Sequence, residues 1–259
     1  MTMKSVELSI TEAQINFDQL VARFTPNGEI SKQQYARFLS MQYHLILNIQ
    51  QQFLSCAGAW EMRKYTALRN HLVEMAFVEE PHYQLTLNDL KELGEALLPE
   101  PLDVILWHAF WRPLVQTHPF FRLGAICVLE NISAGPAQNR IGQLLFKLSA
   151  KGYSLSFAQL HHHTEETDHG KSLLTLIEDA KPDASTVHEI RDGIKIATVL
   201  YLRAFEWALN VGSLSGLIER TPTFVHSHPL AHVSSQAEVG DRPKKEPSTI
   251  CNAIHAEFL

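Results

Sequence analysis

The chain has 259 residues, 45% apolar and 19% charged, a globular balance that can bury a substantial core. Its net charge of −6 excludes a nucleic-acid groove or a polybasic membrane patch, each of which needs a basic excess. Cys56, Cys127 and Cys251 lie far apart and without a CxxC pair, which excludes a disulfide framework and a thiolate zinc site.

No apolar segment follows Lys4 as in a secretion signal, and no run reaches the roughly 18 apolar residues of a membrane span, so a cytoplasmic protein is expected. Helical periodicity places helices at about 5–24, 29–56, 60–78, 82–97, 101–116, 120–133, 136–150, 154–180 and 184–217. The breaks are chemical. Thr25-Pro26-Asn27-Gly28 is a turn signal and Ser31 a cap for the helix after it. Pro99 and Pro101, Gly135-Pro136 and Lys181-Pro182-Asp183 mark further boundaries. No segment reads as strand-turn-strand, and GxGxxG, P-loop and GxSxG patterns are absent, so an all-α bundle follows. We expect a helical domain over 1–218. Residues 219–259, with four prolines and no sustained periodicity, read as a poorly ordered or draped extension whose His226-Ser227-His228 is a solvated stretch rather than a metal site.

Fourteen histidines is a high count, and the eighth helix concentrates them. One of its faces runs Leu155, Ala158, His162, Glu166, His169, Leu173 and Leu176 in steps of three or four. The neighbouring face, Ser154, Phe157, His161, Glu165, Asp168, Ser172 and Thr175, is polar nearly throughout, as a solvated face is. Two imidazoles and a carboxylate inside an apolar stripe are costly unless something partners them. A divalent metal does so, and a donor set without thiolate suits non-heme iron or manganese. The competing interpretation is a surface helix that happens to be rich in His and Glu.

Two other segments supply candidate partners. Glu130 is a lone carboxylate on the face of Leu123, Ile126 and Cys127, where it is a hydrogen-bonded core group, a proton shuttle or a ligand. Between 69 and 82, Glu74 lies near the end of one helix and His82 opens the next after Pro81 interrupts the run, with Glu79 and Glu80 as rivals of Glu74. The expected ligand set is Glu74, His82, Glu130, His162, Glu166 and His169. Its three carboxylates offset three of the four charges of two ferrous ions, and positions remain open for dioxygen or substrate.

These segments resemble the heme-oxygenase-like diiron oxidases and oxygenases, relatives of TenA, PqqC and heme oxygenase, over about residues 5–215. GEISKQQYARFLSMQYHLI resembles the family's second helix, and RNHLVEMAFVEEPHYQLTLNDLKELG its Glu…His segment. AICVLENISAG resembles its central Glu segment, and His162-x3-Glu166-x2-His169-Gly170 its His-x3-Asp-x2-His triad, with Glu166 standing where Asp is usual. The resemblance implies a bundle of about seven core helices holding two non-heme irons. It implies oxidation of a small biosynthetic metabolite by O2: N-oxygenation, oxidative decarboxylation or carbon–carbon cleavage. A homodimer is compatible with it, and Trp107, Phe110, Trp111 and Phe120 are either pocket or core aromatics.

Two rivals remain open. A ferritin-like diiron protein would use Glu79-x-x-His82 and Glu166-x-x-His169 with Glu130, although Pro81 sits inside the first pair and His162 has no role there. A metal-free TenA-like hydrolase would use Cys127 as nucleophile, leaving the histidine stripe unexplained.

Overall fold

Helix follows helix through the chain, broken where the sequence withdraws a donor or a side chain. In a computed structural model, described for residues 2–153, 155–160 and 164–212 (backbone alone at 160 and over 164–171), every regular element is helical. The order is α1 (Met3–Phe24), α2 (Lys32–Ile46), α3 (Ile49–Gly58), a 3-10 turn (Trp60–Lys64), α4 (Thr66–Glu79), α5 (His82–Leu93), α6 (Leu102–Trp111) and the single turn α7 (Leu114–Thr117). Then come α8 (Pro119–Asn131), α9 (Pro136–Ala150), α10 (Ser156–Leu160), α11 (Thr164–Asp179) and α12 (Ala184–Leu209). The chain divides into two units, Met1–Pro222 and Thr223–Leu259, and the described residues belong to the first. The extension expected at 219–259, with His226 and His228, lies outside the described residues. No helix among the described residues is long and apolar enough to cross a membrane.

Several expected helices are subdivided. The segment 29–56 breaks where Asn48 leaves helical geometry (φ −131, ψ 25), giving α2 and α3. Pro113, which has no N–H to donate, separates α6 from α7. Gly94, left-handed at φ 68, ends α5 as a C-cap with its N–H bonded to the carbonyl of Lys91. At the start of α2 the expected cap is present in full. Ser31 Oγ accepts from the Gln34 N–H at 3.1 Å, and Gln34 Oε1 accepts from the Ser31 N–H at 2.8 Å. Gln34 then uses its Nε2 on Leu209 O at 2.8 Å, tying the start of α2 to the end of α12.

Helix α12 is the central post, packing on α8, α1, α2 and α6. Its crossing with α8 is a backbone contact. A Cβ on Gly124 would collide with Ile190 O and lie 2.7 Å from Ile194 N, and one on Gly193 would collide with Phe121 O. Only hydrogen fits between the two helices there. That crossing fixes α8, and with it Glu130, against the post.

Candidate metal centre

Glu79 ends α4 and His82 begins α5, with two residues between them. Glu80 (φ −54, ψ −44) and Pro81 (φ −79, ψ −9) both keep right-handed helical geometry. Pro81 removes a hydrogen-bond donor at the junction, and Glu79 and His82, three residues apart, still face one another across it. Both side chains are buried, with His82 Nδ1 2.8 Å from Glu79 Oε2. With Glu79 ionised, His82 donates from Nδ1, the tautomer in which Nε2 is the ligating or accepting nitrogen.

Glu74 is placed differently from the expectation. It lies five residues before Glu79, about 140° around the helix at 3.6 residues per turn, and is exposed. Glu79, the rival in the sequence, occupies the inward position beside His82.

Glu79 and Glu130 both line a cavity of about 160 Å³. Glu130 is half-buried on α8. The other walls are mostly apolar, among them Phe17 and Val21 from α1, Phe38 and Leu45 from α2, and Leu144 and Leu148 from α9. Among the described lining residues these two glutamates alone are charged. The aromatic surface of the chamber comes from Phe17, Tyr35, Phe38, Phe157, Tyr201 and Phe205. Trp107, Phe110, Trp111 and Phe120 are absent from its described lining, so the pocket alternative for them is corrected. Trp107 and Trp111 are fully buried core residues whose rings flank Arg122, while Phe110 is partly exposed.

Of the remaining expected ligands, His162 lies outside the described residues, as do the side chains of Glu166 and His169. The backbone of α11, which carries the latter two, packs against α8 and α4, the helices of Glu130 and Glu79. Among the described residues no group of three or more ligand-type side chains is assembled. Glu79 and His82 are thus a described pair, and Glu130 shares a cavity lining with Glu79 without the three forming one described cluster.

Asp89 was not singled out from the sequence. It is fully buried on α5 and accepts the N–H of Ser156 at Oδ1 and of Phe157 at Oδ2, both at 3.0 Å, and the Tyr35 hydroxyl at 3.3 Å. Burial and then the Asp89 charge push the Tyr35 phenol upward, so it stays a donor. The N-terminus of α10 is pinned in this way to the helix that carries His82. The signal for it was present: His82, Thr86 and Asp89 recur at i, i+4 and i+7, and all three are buried.

Cys127 is buried and absent from the described chamber lining. Burial, then the charge of Glu130, raises its pKa, which disfavours the thiolate a nucleophile needs. Arg122 is a second residue the sequence did not flag. It is 0% exposed, gives Gln52 Oε1 one hydrogen bond of 2.6 Å, and leaves Nε and Nη1 without partners. Desolvation lowers its pKa to about 10.

Comparison of the chain with protein-family models, with curated proteins and with solved structures finds no match.

Proposed function

We propose that this protein is a non-heme diiron oxidase or oxygenase with a heme-oxygenase-like bundle, using O2 to oxidise a small biosynthetic metabolite. The observation that supports the reading is that Glu79, paired with His82, and Glu130 line one largely apolar chamber, with α11, which carries Glu166 and His169, packed on the helices of both glutamates. The ligand set is Glu79, His82, Glu130, His162, Glu166 and His169. Bound iron, with manganese as the alternative, would supply the reduction of dioxygen.

The chain's own residues do the rest. Glu79 holds the His82 ring in one tautomer and orientation, as a carboxylate beside a ligating imidazole does. Glu79, Glu130 and Glu166 together carry three negative charges toward a cation pair. The largely apolar walls lower the local polarity around these groups, which strengthens electrostatic interactions there. The Gly124–Gly193 crossing and the Asp89 cap hold α8 and α10 where these groups can converge.

The path through Glu80 and Pro81 also suits the ferritin-like arrangement, since the Glu79-x-x-His82 pair stays on one face. The two readings part at His162. Anaerobic titration of the apoprotein with Fe(II) should load two irons per chain. In the heme-oxygenase-like reading His162→Ala and His169→Ala each lose most of that iron while helicity by circular dichroism stays intact. In the ferritin-like reading His162→Ala keeps it. Mixing the ferrous protein with O2 should give a transient visible absorption band. Wild type that binds no iron would end both readings.

A further inference from the structure

Helix α6 is apolar on nearly every side, and one of its apolar faces is turned outward. Asp103 and His108 are its only polar residues. Val104, Trp107 and Trp111 face inward and are fully buried. Leu102, Ile105, Leu106, Ala109 and Phe110 recur at i, i+3, i+4, i+7 and i+8, a second helical stripe, and all five are exposed. The stripe continues onto α12. Arg203 Nη2 lies 2.9 Å from Asp103 Oδ1, which seats the outer face of α12 beside α6, and Val199 and Ile196, one and two turns before Arg203, are exposed on that face. Single exposed apolar residues are ordinary, whereas a contiguous face built by two helices marks an interaction surface.

The charges at the rim of this face select its partner. Glu100 precedes α6 and Arg112 caps its far end, and both are exposed. They share one edge of the stripe: Glu100 Oε1 lies 4.0 Å from His108 Nε2, and Arg112 follows His108 by one turn. An acid and a base at opposite ends of one edge are self-complementary under an antiparallel two-fold, which keeps the edge and exchanges the ends. A parallel pairing would set acid against acid and base against base. We infer that this face joins two copies of the chain, α6 packing antiparallel on α6 about Leu106, midway along the stripe, with Glu100 of each copy against Arg112 of the other. The contact is separate from the diiron reading, since none of these residues belongs to the described chamber lining.

The test is sedimentation velocity on the full-length chain. Three turns of α6 with the flank of α12 make a small interface, so the dimer fraction should rise over about 1 to 100 µM. Leu106→Glu, which sets two carboxylates together at the two-fold, should hold the chain monomeric over that range with helicity unchanged. Glu100→Arg and Arg112→Glu should each weaken the dimer about tenfold, and the double reversal should restore it to within about threefold of wild type. In a Cys251→Ser background, Leu106→Cys should cross-link under mild oxidation, while Phe146→Cys, more exposed but on α9, should not. A chain monomeric at the highest concentration, a dimer that survives Leu106→Glu, or single reversals without rescue in the double would overturn the inference. Flotation of a monomeric chain with phosphatidylcholine vesicles would also overturn it and give the face to a membrane surface.

Discussion

The two ends of α8 both remove charge from water, and they do it in opposite ways. Near its start, Arg122 is completely enclosed, its guanidinium 5.8 Å from the Trp107 ring centre and 5.5 Å from that of Trp111, with one hydrogen bond to Gln52. Near its end, Glu130 is only half-buried, on the wall of an open chamber that also holds Glu79. At the first end the charge is met by aromatic faces and packing, with no adjoining chamber described. At the second there is space, a second carboxylate and a neighbouring imidazole. Burial of an ionisable group therefore does not by itself mark chemistry. Several such groups sharing one cavity do.

The largest expected effect tests the helix both ends share. Gly193→Val places a side chain against the Phe121 carbonyl and should cost at least about 3 kcal/mol or prevent folding, read by denaturant titration. An unchanged midpoint would mean that α8 and α12 do not cross as described. Next comes Asp89→Ala, which strands two backbone N–H groups and the Tyr35 hydroxyl and should cost about 2 to 3 kcal/mol. A loss below about 0.5 kcal/mol would detach α10 from α5.

Arg122→Met sharpens the contrast directly. A buried charge without a countercharge can be replaced by an apolar chain of similar length at little cost, so stability should change by no more than about 1 kcal/mol, with iron uptake unaffected. A severe loss of either would give Arg122 a role beyond packing. The smallest effect is at Asp183, which caps α12 by accepting from the Thr186 N–H at 2.8 Å. That bond holds its pKa below the ordinary 3.8, so its contribution is present above that value and fades as pH falls through the lower, folded-state one. Asp183→Ala should therefore melt slightly earlier than wild type at neutral pH, and the two curves should converge in strong acid.

Much of this architecture was legible from apolar spacing. The helix starts at Met3, Pro119, Pro136 and Ala184 lie close to where periodicity and Pro or Asp signals put them, and Ser31 is legible as a cap, to which the structure adds the return bond from Gln34. The break at Asn48 was not legible, because nothing in its neighbours forbids a continuous helix. At Glu79 the sequence left rivals open, because Pro81 interrupts the run between it and His82, and only coordinates show the two side chains in contact across that interruption. The tryptophans were equally ambiguous, since an aromatic stripe has the same spacing whether it faces a cavity or another helix.

Glu74 and Glu79 offer the sharpest single test, because they differ by chamber placement rather than by chemistry. Iron bound per chain after anaerobic loading should stay at two in Glu74→Ala and fall below one in Glu79→Ala, with both variants fully helical. Iron lost from Glu74→Ala but retained in Glu79→Ala would show that the centre is not built at this chamber.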